Sequence, residues 1–458
     1  MQLVNWLRHL SWKSWLLGCG LLILPVALLM TGIFIKNVRG PYWSGSNYDP
    51  DYAYLMNALN VIEDLPIGHI DHPGTPVQLF SALVIKTSHL IRNGAQYDLQ
   101  TLETDVLIHP ELYLQAISYT LLIINSVLLL TVGIITYGIL KNYYFAIILQ
   151  STPFLSSFIP MYSFTKVAPE GLLLTIVLLL ICWLVVMLGK TKFNRRQAID
   201  SSLVAASIVG LGIATKVNFL PMLIVPLFII QTIRLKLLYF ASTIGFFFLW
   251  TWPIRSQYNK LFHWFGSIFQ HTGIHGSGTV GVIDWPLYWN NLQGLIDGFP
   301  RIFEVIILFL LVSIVSIIVL PQRRQYLQTM TFRVGAAAIV SQLLSLVMIA
   351  KHMRYHYFIP FIPLTGIIVC CILMQLRNKS QHRNASGVYL AVLFIFIFVQ
   401  SIISGSRQTS QAIDIERQTQ KEFLATHETS AGQYSALQAG NNFAYGSYTV
   451  ELQELYPR

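Results

Sequence analysis

Charge is what this chain has least of. Only 11% of its 458 residues are Asp, Glu, Lys or Arg, against roughly 25% in a soluble domain, which excludes an ordinary water-soluble globular protein. Cysteine is scarce too: Cys19, Cys182, Cys370 and Cys371 all lie in apolar runs with no metal-ligand spacing to a histidine, so no disulfide framework is expected. No internal repeat or low-complexity tract stands out. The glycine run GIHGSGTVG at 273–281 follows no strand pattern, which excludes a nucleotide phosphate loop. A net charge of +10 is the one feature that points to nucleic acid. A membrane protein needs cationic loops for its orientation, and that reading is preferred.

Hydrophobic residues are plentiful, at 54%. The run Trp15 to Ile35 follows Arg8 and Lys13 like the start of a signal peptide, but it is too long and lacks a small-residue cleavage pattern, so it reads as an uncleaved first span. Further spans of about 20 apolar residues are expected at 112–139, 143–160, 168–189, 200–215, 217–232, 237–254, 302–320, 333–350, 356–376 and 387–404. The expected fold is an all-α polytopic membrane protein with about 11 transmembrane helices and a first external loop bearing surface helices. Val77 to Ile91, too short and too charged to span, fits such a surface helix.

Lysine and arginine set the orientation. With a cytoplasmic N-terminus, the tight connectors carrying Lys141, Lys190, Lys192, Arg195, Arg196, Arg234, Lys236, Arg323, Arg324, Arg377, Lys379 and Arg383 are cytoplasmic. Of 20 acidic residues only Asp200 falls on that side. The long segments at about 37–111 and 255–301 and the tail are then extracytoplasmic, in a bacterial plasma (inner) membrane. Residues 1–404 read as one transmembrane domain, and 405–458 as a polar extracytoplasmic tail.

The stretch from Asn47 to Phe80 holds Asp49, Asp51, Glu63, Asp64, Asp71, His69 and His72. Pro50 disfavours a helical Asp49 and presets the next residue for a first helical turn, so Asp49 is expected at an N-cap with Asp51 and Tyr52 in the first turn. Two readings stay open: a helix cap, or a general base on an acceptor hydroxyl. In GHIDHPGTPVQ, the glycines and prolines make a constrained turn that presents His72 to a polar substrate. His69, Asp71 and His72 lack a typical zinc spacing, so no metal ligand is assigned. At the outer boundary Lys166 and Glu170 begin a span, Lys216 lies between two, and Lys351, His352, Arg354 and His356 cluster. Such cations are often snorkelling anchors. Gathered at headgroup depth on one side, they also suit a lipid-linked phosphate. Trp264, Trp285 and Trp289 in the loop 255–301 read either as an interfacial belt or as sugar-stacking surfaces.

This ordered series resembles the GT-C superfamily of membrane glycosyltransferases, which includes protein O-mannosyltransferases and lipid A aminoarabinose transferases. The likeness rests on Tyr48-Asp49-Pro50-Asp51-Tyr52, His72-Pro73-Gly74-Thr75-Pro76, Pro169-Glu170, Thr215-Lys216 and Arg354-Tyr355 with Pro360 and Pro363, spread over roughly the first 375 residues. It implies a polyprenyl-phosphate sugar donor, a glycan, lipid or protein acceptor, and an inverting transfer on the extracytoplasmic face. Asp49 would be the base with Asp51 in reserve, and Lys216, Arg354, Lys351 and Lys166 would contact donor phosphate. His72, Glu170, Tyr52 and Tyr355 would position substrate. No cofactor is assigned, and a divalent metal stays open because metal dependence varies within the superfamily. Two features depart from the pattern: Pro50 separates the two aspartates, and no carbohydrate-binding domain is evident in the tail. The rival function is a transporter or flippase of lipid-linked saccharides without catalysis, for which broken helices and ionisable residues within spans are the signs.

Overall fold

A computed structural model describes residues 12–42, 48–70, 72–94, 98–190, 193–273, 276–319, 323–379 and 385–428. Among these there is no strand, only isolated bridges between Pro73 and Lys216 and between His271 and Val280. The chain is an integral membrane protein: seven described helices are long and apolar enough to cross a bilayer, eight if a bent pair counts as one span.

Helix α1 (Trp12–Arg39) tolerates an internal Pro25, as membrane helices do where neighbours satisfy the freed carbonyl. Outside the spans follow α2 (Tyr48–Ile62), α3 (Thr75–Asn93) and α4 (Leu99–Ile108), with α3 covering the surface helix expected at 77–91. They bury Tyr54, Leu55, Val77, Ile85, Leu102 and Val106 in a second core that also takes in Tyr113, Leu114, Ile117 and Leu121 of the next span. Asp105 ties them to α5 (Pro110–Leu140): its Oδ2 accepts from Tyr113 at 2.5 Å and from Arg92 at 3.2 Å, with His89 Nδ1 at 3.3 Å.

The expected span 143–160 is interrupted. It forms α6 (Tyr143–Gln150), a 3₁₀ turn (Thr152–Leu155) and α7 (Phe158–Ser163), because Pro153 and Pro160 remove backbone donors and block continuation. Two full spans come next, α8 (Pro169–Gly189) and α9 (Arg195–Thr215). Pro169 sits in the first turn of α8, and an Asn194–Gln197 capping box starts α9. The span expected at 217–232 is likewise short: a 3₁₀ segment containing Pro221 (Val217–Leu223) runs into α10 (Ile224–Ile229).

Helix α11 (Ile233–Trp250) packs on α9, where Gly210 lets the helices approach. A Cβ there would lie 2.7 Å from that of Phe246. The loop 255–301 is a 3₁₀ turn (Trp252–Gln257) with two helices, α12 (Tyr258–Gln270) and α13 (Trp285–Gly298). There follow α14 (Pro300–Val319), the short α15 (Arg323–Gln328), α16 (Met330–Ala350), a 3₁₀ turn (Tyr355–Phe361) and α17 (Leu364–Lys379), with a 41° bend between the last two. Helix α18 runs unbroken from Ala385 to Glu428, so the domain boundary expected at 404 falls inside it. Gly405 carries it close past Phe154, whose carbonyl oxygen would lie 2.3 Å from an added Cβ. Residues 429–458 of the tail lie outside the described residues. The sequence thus overcounted uninterrupted spans where prolines divide apolar runs.

Candidate functional site

A polar chamber of about 850 Å³ opens where α2, the turn at 69–72, α7, the start of α8, the end of α9 and the 3₁₀ turn at Tyr355–Phe361 converge. The turn is held from three sides. Asn57 Oδ1 of α2 accepts from Gly68 N at 2.9 Å, Gln78 of α3 donates to the His69 carbonyl at 2.7 Å, and Val217 N donates to the His72 carbonyl at 2.8 Å. His72 has φ 93° and Gly74 φ 74°. Only glycine adopts such values freely, so a histidine there is held by its surroundings. Its ring stands edge-on to Trp264, centroids 5.5 Å apart.

Of the expected site residues, His72, Lys166, Glu170, Lys216, Arg354 and Tyr355 line this one chamber. Their charges are not equivalent. Lys216 Nζ donates to Glu170 Oε1 at 2.6 Å, both side chains at most 5% exposed, and also lies 4.3 Å from the Tyr357 ring centre. His356 Nε2 is 3.9 Å from the same Glu170 oxygen. The expected phosphate ligand Lys216 therefore already has an internal counter-ion. Arg354, by contrast, is exposed and forms no ion pair among the described residues. Lys166 Nζ sits 5.9 Å from the Tyr162 ring centre.

The remaining residues lie elsewhere. Asp51 is fully buried behind the chamber wall, where one oxygen accepts from Val167 N and Oδ2 has no hydrogen-bond partner. Burial pushes its carboxyl up to about 7, against the opposing charge of Lys166 and the Val167 N–H. Asp51 is not among the residues that line the chamber. Tyr52 donates to Glu111 Oε1 at 2.8 Å, which anchors α2 to α5, and is not among the residues that line the chamber. Lys351 donates to the Phe269 carbonyl at 3.1 Å and to that of Ile268, capping α12 as a cation at a helix C-terminus does. Asp49 is helical in backbone, one residue inside a helix that starts at Tyr48, not at its cap; its side chain, and Asp71 altogether, lie outside the described residues.

Sequence reasoning missed the chamber's aromatic walls. Tyr162 stacks on His356 at 4.6 Å and Phe158 on Tyr355 at 5.0 Å. Tyr54, Tyr357 and His69 complete the lining. The signal for Tyr162 was its place four residues before Lys166 in MYSFTK. Among the described residues no three His, Cys, Asp or Glu side chains converge as metal ligands, and Glu170 is already engaged by Lys216.

Next to the chamber lies an apolar cavity of about 260 Å³, walled by Trp264, Phe265, Ile268, Tyr288, Val347 and Ile349. The two share His72, Lys216 and Tyr357 as a common wall.

No family model matches the chain, and no curated protein or solved structure matches it.

Proposed function

We propose that the protein is a membrane glycosyltransferase that moves a sugar from a polyprenyl-phosphate-linked donor to an acceptor hydroxyl on the extracytoplasmic face of a bacterial inner membrane. The observation that carries this reading is the shared wall: a polar, aromatic chamber set directly against an apolar cavity suits a ligand with a sugar phosphate head and a hydrocarbon chain. Arg354, with no ion pair among the described residues, offers a planar fork to the phosphate, and Lys166 lines the same chamber. The stacked Tyr162/His356 and Phe158/Tyr355 pairs provide flat apolar surfaces for a sugar ring.

In the transfer, the acceptor oxygen attacks the anomeric carbon and the carbon–oxygen bond to phosphate breaks. The lipid phosphate leaves with the electron pair, and the acceptor proton passes to a carboxylate. Asp49 is assigned as that base, because Asp51 is sealed behind the wall and Glu170 is held by Lys216.

Transfer of labelled sugar from a short-chain polyprenyl-phosphate donor, measured on purified protein, tests the assignment. Asp49→Asn should abolish transfer with insertion and folding intact. Arg354→Ala should weaken donor binding by about tenfold or more, as expected for one charge-assisted contact. Full activity in Asp49→Asn, or unchanged donor affinity in Arg354→Ala, defeats the respective role.

A carrier reading draws support from one specific finding. The elements at 143–163, 217–229 and 355–376 are broken or bent, and the Lys216–Glu170 pair is buried at a span boundary. Movement of labelled lipid-linked saccharide across proteoliposomes without sugar transfer would establish that reading over the enzymatic one.

A further inference from the structure

A second recess, of about 390 Å³, lies at the other end of the bundle. Helices α8 and α9 connect the two ends: Glu170 and Lys216 face the chamber, whereas Met187, Lys190 and Ser201 line the recess. Each helix has 21 residues, about 30 Å at 1.5 Å per residue, the thickness of a hydrocarbon core. The recess therefore sits at the opposite membrane boundary, among the basic connectors.

Its lining is divided. Met187, Phe193, Ile230 and Leu235 form an apolar half, and Lys190, Ser201, Gln231 and Thr232 a polar half. Lys190 is exposed, forms no ion pair among the described residues, and lies 5.1 Å from the Phe193 ring centre. Arg195, Arg234 and Lys236 lie in sequence beside the lining residues Phe193, Thr232 and Leu235 and also form none among the described residues. The one acid of these connectors, Asp200, is 4.0 Å from Arg196. Ser201 Oγ accepts from the Trp183 indole at 2.9 Å, and its own proton meets only the Met187 sulfur at 3.7 Å, a weak acceptor.

From the rim an apolar stripe continues along α11: Ile233, Leu237, Phe240, Ile244 and Phe248 are all exposed. Their spacing of three and four residues puts them on one helix face. The other face, with Tyr239 and Thr243, is buried.

We propose that this recess holds the headgroup of an anionic phospholipid. Its phosphate would sit on Lys190 with the Ser201 and Thr232 hydroxyls and the Gln231 amide as donors, and one acyl chain would lie along the α11 stripe. The ligand class follows from three properties together: an ammonium with no ion pair among the described residues on connectors that carry further cations, neutral donors beside it, and an apolar track leading away along the bilayer. A zwitterionic headgroup would set its own ammonium against Lys190 and its neighbours, so the site discriminates by charge.

The test uses the full-length protein in detergent with equimolar phosphatidylglycerol and phosphatidylcholine, and native mass spectrometry reads the lipid retained. Phosphatidylglycerol should be retained in preference. Lys190→Ala should lower its retention about fivefold, the effect of one cation near a lipid phosphate. Thr232→Trp, at an exposed rim position with no capping hydrogen bond, should block the mouth while leaving every cation in place, and should lose the lipid too. Equal retention of both lipids, or unchanged phosphatidylglycerol in the two variants, overturns the proposal. So does its displacement by millimolar inorganic phosphate, which would make the recess a free-anion site.

Discussion

Helices α8 and α9 carry an ion pair near each end, and the two could hardly differ more. At the chamber, Lys216 and Glu170 meet at 2.6 Å with side chains 5% and 4% exposed. At the connectors, Arg196 and Asp200 are 4.0 Å apart with side chains 93% and 64% exposed. In water the Coulomb attraction is screened and side-chain entropy opposes it, so the exposed pair adds little. Away from water each charge depends on the other, and losing one strands its partner. The comparison teaches that in this protein a charge matters by where it is held.

Breaking the buried pair should have the largest effect. Glu170→Ala leaves Lys216 buried and unpaired and should destabilise the protein by about 3–5 kcal/mol, read as a lowered midpoint of thermal unfolding in detergent. The double variant Lys216→Met with Glu170→Leu should recover most of that loss. A double variant as unstable as the single one would show that the pair is needed for packing as well as charge.

Asp51 sharpens the comparison, being buried with one oxygen unfilled. Burial raises its carboxyl to about 7 in the folded chain, so between the ordinary carboxylate range and that value the folded state holds a proton that the unfolded state has released. Stability from this group is therefore fullest in acid and falls as pH rises to about 7. Asp51→Asn should remove that slope, worth at most about 4 kcal/mol between about pH 4 and about pH 8. An unchanged pH dependence of unfolding would mean that Asp51 is ionised in the folded protein. The smallest effect is expected at the exposed pair, where Arg196→Ala should shift stability by less than about 0.5 kcal/mol. A larger shift would mean that the connector end is as well ordered as the chamber.

Much of the bundle was legible in apolar runs, and the convergence of Lys166, Glu170, Lys216 and Arg354 was legible as charge gathered beside spans. What the sequence did not show was pairing. Lys216 meets Glu170 and Lys351 reaches the Phe269 carbonyl across separations of 46 and 82 residues, and no local pattern encodes which cation finds an acid. The burial of Asp51 is hidden from the sequence for a related reason. Helical phase puts it on one side of α2, but the Val167 backbone that packs against that side lies 116 residues further along the chain. Prolines misled in the opposite sense: the apolar stretches around Pro153, Pro160 and Pro221 read as continuous, although a proline removes a backbone donor and crowds the preceding turn, and these stretches are broken into short helices.

Arg39 at the end of α1 donates to the Met161 carbonyl at 2.8 Å and to Thr165 Oγ1 at 2.6 Å, just before Lys166, and its other nitrogen pairs with Glu416 of α18 at 3.2 Å. The first span and the last long helix thus share one guanidinium. During synthesis α1 and α7 are made long before Glu416 emerges, so the chamber wall gains its last brace late. A chain stalled before α18 would hold Arg39 on Met161 and Thr165 but still without Glu416.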